Sequence, residues 1–484
     1  MRKFVWCIGG ILFFTSIAHA IDGGNVEWLT PVNVAGTDWK TFELITANDS
    51  VAALSGAESF SWSGRASWDG AGAFQLNGST LRVFVNHETT PAAITHFDLN
   101  RANLAALAAQ PNGTTWAGGG QVVSGIGNGF TSISGDANLA RFCSANVWEA
   151  DTFGPGRGFA DRMFLTAEEV SGGQFYALDP ATQILHQAPD LGAGVWESAT
   201  PIDSGRTDTV ALLLNEDAGA SATGTAPLRL YVGLKNAGGN FLQRNGLSGG
   251  TVYYWDPDGT ANTDGTIDGP LFDTDANAAT DASGNSVTGT WVASSAAAAR
   301  FSKLEDTHVN TQSANPGFGR EAVVANQDEG LYHVDLQGLS FIAGDLAANQ
   351  QSAVKLLLQA AFDQDPNGNI RGFDNLVWSP DGRVYVNEDG SSGEVWQLDP
   401  DNALMSALNI VDLNTAIAAE SSGIFDISAA AGFLPGSLFL SNVHNSTLAN
   451  NQLVLLVSPT ATPIPEPASL ALLVVLCPFL RRRR

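Results

Sequence analysis

The chain repeats one pattern, a short run of β-branched and aromatic residues that stops at amide or carboxylate side chains. The clearest copy is G-R-V-Y-V-N-E-D-G at Gly382–Gly390. Apolar runs of this length, bounded by turn residues, predict β-strands. We interpret all six copies as the innermost strands of one ring, whose polar ends surround a common site. The other five are Leu81–Glu88, Asp161–Glu169, Leu228–Asn236, Arg320–Asp328 and Gly436–His444.

A second set of strands follows most of the first. It reads I-T-H-F-D at Ile94–Asp98 and G-E-V-W-Q-L-D at Gly393–Asp399. The period is loose, and each unit holds several strands and turn residues. Six such units predict an all-β fold, a six-bladed β-propeller with insertion loops. Two β-sandwiches would give similar strands, but not so many in one register. The remaining copies are Gly173–Asp179, Gly250–Asp256, Gly330–Asp335 and, without the aspartate, Leu453–Val457.

Helical patterns are scarce, and two polar segments interrupt the strands. Short helices are expected at Ala102–Ala109, Ala353–Ala361 and Thr415–Ala419. The Asp-, Asn- and Gly-rich stretch Asp256–Gly289 is predicted to be a surface insertion. Asp363–Asp374 has oxygen ligands and a glycine at the spacing of an EF-hand calcium loop, but no evident flanking helices. A calcium loop and a solvated turn therefore both remain open for this segment.

The two ends predict an exported protein. Residues 1–20 combine a basic start, an apolar run and an A-x-A motif, which is typical of a signal peptide. The propeller is predicted over residues 21–460. Residues 463–484 contain Pro465-Glu466-Pro467, an apolar run too short for a comfortable membrane span, and four terminal arginines. This tail resembles the PEP-CTERM sorting signal of Gram-negative bacteria. The resemblance implies cleavage by an exosortase-type enzyme and only transient membrane contact.

Charge and cysteine content narrow the chemistry. The net charge is −26, so the surface repels nucleic acid and anionic lipid, and neither is expected as a partner. Cys7 and Cys477 lie in the two end segments, which leaves Cys143 alone between them. Exported proteins normally use cysteines in pairs. The lone thiol is therefore a buried small apolar residue, a soft metal ligand or a nucleophile.

Carboxylates stand next to one another at several strand ends. Like charges raise each other's pKa, and cations between them remove that cost. One thiol with several carboxylates predicts a site that mixes a softer transition metal with calcium. The sequence has no P-loop motif. The acidic residues are Glu168-Glu169, Glu197, Glu216-Asp217, Glu305-Asp306 and Glu388-Asp389.

Ten short motifs, in this order, resemble the PhoX-type alkaline phosphatases and their wider relatives. The resemblance extends from about Phe84 to His444, most of the chain between the two end segments. Each motif is short, and their shared order is what makes the resemblance specific. They are Asn86–Glu88, Arg141–Ser144, Ala167–Glu169, Trp196-Glu197, Leu230–Lys235, Arg244–Gly250, Leu304–Asp306, Phe373–Leu376, Pro380–Gly390 and Ser421–Asp426.

The resemblance implies a propeller whose site holds two ferric ions, one of them bound by the family's cysteine, together with calcium ions. The family often places a phosphate-binding arginine where this chain has Lys303, and a lysine meets phosphate only as a point charge. Lys303 and Arg141 are the candidates for steering phosphate. The implied metal ligands are Cys143, Glu169, Glu197, Glu305 and Asp389, with Glu88 and Glu168 as further candidates. Glu388 is expected to point the other way along the pleat.

The resemblance thus implies metal-assisted hydrolysis of a small phosphoester by an exported monomer. Its expected location is the periplasm, the cell surface or the extracellular matrix of a Gram-negative bacterium. Two other functions remain open from the sequence. A calcium-dependent lactonase or esterase propeller would need no cysteine. A non-catalytic propeller that binds matrix at the surface fits the sorting tail equally well.

Overall fold

The computed structural model describes residues 29–31, 38–49, 51, 60–112, 114, 121–136, 138–218, 226–257, 286–295, 300–301, 303–359, 372–390, 393–413 and 419–465. The predicted signal peptide and nearly all of the sorting signal lie outside these residues. So do most of the Asp256–Gly289 and Asp363–Asp374 segments and all but the last residue of the Thr415–Ala419 helix. No helix in the described part of the chain is long and apolar enough to span a membrane.

The described residues are mostly β-strand. In the first half the strands are β1 (Leu29–Pro31), β2 (Lys40–Thr46), β3 (Trp68–Asn77), β4 (Thr80–His87), β5 (Ala93–Asn100), β6 (Val123–Asn128), β7 (Ser132–Ser134), β8 (Phe142–Trp148), β9 (Met163–Glu168), β10 (Phe175–Asp179), β11 (Ile184–Gln187), β12 (Trp196–Ile202), β13 (Thr209–Glu216), β14 (Ala226–Pro227) and β15 (Arg229–Leu234). In the second half they are β16 (Thr251–Pro257), β17 (Ser286–Val292), β18 (Arg300–Phe301), β19 (Leu304–Val309), β20 (Glu321–Asn326), β21 (Gly330–Asp335), β22 (Phe341–Ile342), β23 (Asp345–Leu346), β24 (Gln351–Gln359), β25 (Phe373–Trp378), β26 (Val384–Glu388), β27 (Val395–Leu398), β28 (Leu408–Leu413), β29 (Glu420–Asp426), β30 (Leu438–His444) and β31 (Gln452–Val457).

The described helices are short: α1 (Arg101–Ala108), α2 (Phe241–Arg244), α3 (Ala403–Ser406) and α4 (Ser428–Ala431). The prediction of a helix at Ala102–Ala109 is confirmed; the Asn100 side chain caps it by accepting from the backbone N–H of Asn103. The prediction of a helix at Ala353–Ala361 is wrong. Most of that segment forms β24, because pairing with β17 and β21 outweighs the helical propensity of its alanines and leucines.

The strands form a propeller-like arrangement, but six separate blades are not what the structure shows. The described strands make five sheets of four or more strands and two sheets of two. The largest has nine strands, in the order β12-β13-β15-β16-β17-β24-β21-β20-β19. β17 begins inside the stretch predicted as a surface insertion. Because it pairs with both β16 and β24, it joins two groups of strands into one sheet.

Six sheet-edge strands contact one another in a closed ring: β3, β8, β12, β19, β25 and β29. The prediction that Gly382–Gly390 is an innermost strand is wrong. Its strand, β26, is second from the ring, between β25 and β27. Four of the other copies, on β4, β9, β20 and β30, are also second strands, and the copy on β15 is third in its sheet. The second set of predicted strands is found as β5, β10, β16, β21, β27 and β31.

The chain closes the ring by pairing its two ends. β2 lies outermost in the last sheet, antiparallel to β31, and β1 likewise pairs with β28. Such pairing places two strands from early in the chain in the last two sheets, and it covers an edge of each of these sheets. Large apolar side chains fill the space between neighbouring sheets. Trp68, Trp196, Trp255 and Trp396 are all fully buried there.

Candidate metal centre

Each of the six ring strands carries an interruption of its hydrogen-bond ladder at the same place. The register shifts just after Trp68, Phe142, Trp196, Leu304, Phe373 and Ser422. A β-bulge of this kind re-aims the side chains of the residues it contains. The first bulge residues are Asp69, Cys143, Glu197, Glu305, Asp374 and Gly423. Five ligand-type residues and one glycine thus stand at matching positions around the ring.

Two glycines allow the ring backbones to approach one another. A Cβ on Gly70 would lie 2.1 Å from the Ala145 nitrogen. A Cβ on Gly423 would lie 2.4 Å from the Asp69 carbonyl oxygen, and Gly423 also has a φ of +58°. Only glycine fits at such positions. Asp69 is brought close to Cys143 by this packing: its Oδ2 lies 3.2 Å from the Cys143 Sγ.

The side chains form three neighbouring groups of possible metal ligands, two of which share a residue. Within each group the ligand atoms lie within 4.8 Å of one another. Two of the groups share Glu197, and Asp69 of the third group lies 3.2 Å from the Cys143 Sγ, so the cluster is continuous. The groups are Cys143 with Glu169 and Glu197, Glu197 with Glu305 and Asp374, and Asp69 with Glu88 and His444.

The cluster has two layers. The bulge residues form the deeper one, in which Glu197 is fully buried and Asp69 is 2% exposed. The upper layer comes from residues at or just beyond the ends of second strands, the feature on which the sequence prediction rested. Its side chains are only slightly exposed. They are Glu88, Glu169, Asp217, Asp389 and His444.

Burial and mutual repulsion oppose ionisation of the deep carboxyls. Burial, followed by the charges of neighbouring carboxylates, raises the pKa of Glu197, Glu305 and Asp374 well above the usual range. The same causes raise the pKa of the Cys143 thiol. In the upper layer, burial and Glu88 raise the pKa of Glu169 to about 8. Cations are what such a donor set requires if all its members are to ionise together.

His444 lies between two carboxylates. Its Nε2 is 3.0 Å from Glu88 Oε2, and its Nδ1 contacts Glu420. Burial lowers the pKa of His444, but Glu420 and Glu88 outweigh it and raise the pKa well above the usual value. Burial also opposes the charge of Glu88, yet His444 and Arg141 together lower its pKa.

Two basic residues stand at the rim. Arg141 pairs with Glu88 and, at 2.8 Å, with Glu169, and its side chain is 45% exposed. Lys303 Nζ lies 3.7 Å from Glu305 Oε1 and 3.8 Å from Asp217 Oδ1, and also bonds Gln327. Burial disfavours both charges, but the carboxylates outweigh it and raise the pKa of each side chain.

Arg141 and Lys303 occupy matching backbone positions. Each stands at the entry to a ring strand with positive φ, +43° for Arg141 and +45° for Lys303. Ser67 and Gly372 hold the same position before β3 and β25, with φ of +51° and +70°. The four carbonyls all accept a backbone N–H from the end of a second strand. The fold thus places Arg141 and Lys303 in a conformation that favours glycine.

The structure brings together most of the predicted ligands. Cys143, Glu169, Glu197, Glu305 and Glu88 all belong to the groups above. Neither Asp389 nor Glu168 belongs to any of them. Asp389 lies beside Glu420, whose pKa it helps to raise. The Glu168 carboxylate instead accepts from the backbone N–H groups of Ala140 and Gln174.

Asp69, Asp374 and His444 belong to these groups but are not predicted as ligands from the sequence. A signal for the first two was present: a large apolar residue directly followed by a ligand residue, on five of the six ring strands. The pairs are Trp68-Asp69, Phe142-Cys143, Trp196-Glu197, Leu304-Glu305 and Phe373-Asp374. The apolar member is buried, and the bulge turns the next residue into the centre. From the sequence, Asp374 is predicted as the last residue of a possible calcium loop and lies in the Phe373–Leu376 motif, but it is not predicted as a ligand of this centre.

Comparison with known proteins supports this architecture. No protein-family model and no curated protein matches the chain. The solved structure of Pseudomonas fluorescens PhoX in complex with vanadate, a transition state analogue, matches with a TM-score of 0.56. The match covers 91% of this chain and 97% of that one at 12% identity. The chain has a PhoX-like fold. The α-L-arabinofuranosidase Arb93A of Fusarium graminearum, in complex with an iminosugar inhibitor, matches with a TM-score of 0.42 and 10% identity, over 87% and 98% of the two chains.

The residues present fit bound cations. Glu197 Oε2 is buried and has no hydrogen-bond partner among the described residues, while its Oε1 accepts from Ser144. An unpaired buried carboxylate oxygen is costly. A cation between the thiol and the carboxylates would remove that cost. The donor set, one sulfur with many oxygens, suits a softer transition metal beside a hard cation such as calcium.

Proposed function

We propose that this protein is a metal-dependent phosphomonoester hydrolase. The observation that carries the proposal is one buried cluster of a thiol and carboxylates, at the centre of a PhoX-like fold, with two basic side chains at its rim. A cluster of acids alone would repel a phosphate ester. Cations inside the cluster, together with Arg141 and Lys303 at its rim, would make the site attract a phosphate ester.

The proposed cofactors are two ferric ions together with calcium. Cys143, Glu169 and Glu197 would hold iron, because a thiolate favours a softer metal than calcium. Glu197, Glu305 and Asp374 offer oxygen only, which is the donor set that calcium prefers. Bound cations would polarise the phosphoryl group and neutralise charge that develops on the leaving oxygen. Asp389, Glu88 and Glu168 remain candidate ligands from the sequence, with Asp389 and Glu168 the weaker two.

The two basic residues would orient the substrate. The Arg141 guanidinium carries five N–H donors in a planar fork, so its pairs with Glu88 and Glu169 leave donors for a phosphate oxygen. Lys303 would contribute a point charge on the other side, without the bidentate geometry of arginine. Carboxylates below both side chains hold them protonated, so neither can serve as a base at neutral pH.

Elemental analysis of the purified protein, beside a p-nitrophenyl phosphate assay, tests the proposal. We expect iron and calcium in the wild type, and loss of iron together with activity in Cys143→Ser. A Cys143→Ser protein with unchanged iron and full activity would refute the iron–thiolate assignment. Calcium without iron, with activity on lactones or carboxylic esters, would instead favour a calcium-dependent lactonase or esterase. A fully metal-loaded protein inactive on all esters would favour a matrix-binding role.

Export and processing remain part of the proposal. The chain would leave the cytoplasm through its signal peptide, lose its PEP-CTERM tail to an exosortase-type enzyme, and act as a monomer. Deletion of residues 466–484 tests the second step. We expect the full chain to be shortened in a host that encodes an exosortase, and the truncated chain to keep its size. Tail retention in such a host would contradict the sorting assignment.

A further inference from the structure

At three joints between neighbouring ring strands, an asparagine reaches across to the backbone of a residue in the centre. Asn86 Nδ2 donates to the Cys143 carbonyl oxygen at 2.7 Å. In the same way, Asn215 donates to the Glu305 carbonyl and Asn442 to the Asp69 carbonyl. The three asparagines are fully buried. Each stands on a second strand, β4, β13 or β30, and each acceptor lies on the next ring strand, β8, β19 or β3.

The orientation of these amides follows from their partners. A carbonyl oxygen can only accept, so the amide nitrogen must be the atom that faces it. Two of the amides are held by a second acceptor on the same nitrogen. Asn86 Nδ2 also donates to Thr166 Oγ1 at 2.7 Å, and Asn215 Nδ2 also donates to Thr307 Oγ1.

The three acceptor carbonyls all fall inside the β-bulges. The regular pairing of β8 with β9 skips from Phe142 to Ala145, and Cys143 lies in that gap. Glu305 and Asp69 lie in the corresponding gaps of β19 and β3. A bulge takes a residue out of the ladder that would otherwise fix its position. An asparagine on a strand that does not pair with the bulged strand supplies the missing hydrogen bond, and so fixes the backbone from which the ligand side chain extends.

We propose that Asn86, Asn215 and Asn442 are positioning residues for the metal centre. Each holds one bulge from a strand that does not pair with the bulged strand, and thereby sets the place of one ligand: Cys143, Glu305 and Asp69, respectively. The proposal rests on the proposed metal-binding function of those ligands. It assigns to these three contacts a part of the site geometry that the pairing of the ring strands does not supply.

The chain contains its own control. Asn387 stands on β26, another second strand, and is equally buried. Its Nδ2 bonds the Ser441 hydroxyl at 3.1 Å rather than the carbonyl of a ring residue. Loss of this amide therefore removes a buried hydrogen bond without releasing a bulge. A purely structural role predicts the same effect at all four positions, and a positioning role does not.

The test replaces each asparagine by leucine, which keeps the branched shape and removes the donor without adding charge. Metal-free full-length proteins are titrated with calcium alone. We expect Asn215→Leu and Asn442→Leu to weaken calcium binding about 10- to 100-fold, as is usual for residues that orient metal ligands. Asn387→Leu should bind calcium like the wild type, even if its melting temperature falls as much as theirs.

The role of Asn86 is tested in metal-free protein. Iodoacetamide labelling of Cys143 in metal-free protein, located by peptide mass spectrometry, reports how firmly β8 holds the buried thiol. We expect Asn86→Leu to label about tenfold faster than wild type, because local opening becomes easier, and Asn387→Leu to label at the wild-type rate. If Asn86→Leu does not fold, Thr166→Val, which removes only the second acceptor, should still accelerate labelling.

The outcomes separate this proposal from the proposed function. Equal calcium affinities and labelling rates in all four variants would overturn the positioning role, whatever the enzyme does. A wild type that binds no metal, while Asn86→Leu still labels faster than Asn387→Leu, would refute the metal-dependent function and keep the positioning of Cys143. If all four variants lost calcium affinity and protection of Cys143 to the same extent, the asparagines would only stabilise the fold. That result would overturn the proposal as well.

Discussion

The backbone at Arg141 gives a prediction that separates function from stability. Arg141 has a φ of +43°, where an L-residue is strained and glycine is not. The left-handed conformation costs a residue with a Cβ roughly 1–2 kcal/mol. Glycine loses part of this advantage, about 0.5–1 kcal/mol, through the greater freedom of its unfolded chain. We therefore expect Arg141→Gly to be about 1 kcal/mol more stable than Arg141→Ala.

The side chain itself contributes little to stability. Arg141 is 45% exposed, so its pairs with Glu88 and Glu169 are screened by solvent and are worth at most about 1 kcal/mol. Arg141→Gly should consequently unfold near the wild-type midpoint. Its KM for a phosphoester should nevertheless rise as much as that of Arg141→Ala, because both variants lack the guanidinium.

Urea unfolding followed by tryptophan fluorescence measures the first difference, and initial-rate kinetics measure the second. Ala106, which is exposed in α1, provides a control at which glycine should be the less stable residue. Ala106→Gly should lower the free energy of unfolding by about 1 kcal/mol. Gly372→Ala, at the matching position before β25 with φ of +70°, should destabilise. If Arg141→Ala is as stable as Arg141→Gly, the strain argument is wrong. If both keep the wild-type KM, Arg141 does not contact the substrate.

Further outcomes follow from the same structure. Removing bound metals with a chelator should lower the unfolding midpoint, because ions that bind only the folded state stabilise it and because the buried carboxylates then repel; an unchanged midpoint would argue against a loaded centre. Burial lowers the pKa of His308 to about 4 from 6.5, so between these values the unfolded chain binds more protons. This part of the stability, at most about 3 kcal/mol, is present above pH 6.5 and is lost as the pH falls toward 4. His308→Gln should flatten the pH dependence of urea unfolding in this window, and an unchanged slope would refute the assignment. Gly423→Ala should destabilise by more than about 1 kcal/mol and reduce metal content, since its Cβ would strike the Asp69 carbonyl; normal metal content in a folded Gly423→Ala protein would contradict the close-approach argument.

The sequence was sufficient to predict much of the residue content of the site, but not how the residues are arranged. The residue types pointed to mixed sulfur and oxygen ligands, and Cys143, Glu169, Glu197 and Glu305 lie together in the structure. The prediction that G-R-V-Y-V-N-E-D-G forms an innermost strand is wrong. Its polar end does approach the centre, but through Asp389, which stands outside the three ligand groups.

The local pattern determined where most strands begin and end, because alternating apolar residues and turn residues act over short distances. It also determined that one thiol, that of Cys143, and many carboxylates lie between the two end segments of an acidic chain. Which strand faces the axis was decided by the tertiary structure alone, since neighbouring strands of one sheet carry nearly the same apolar pattern. The positions of the β-bulges were also decided by the tertiary structure. A bulge is a shift between two paired strands, and the carbonyl it releases is held by an asparagine from the next sheet. Neither partner can be identified until the sheets are packed.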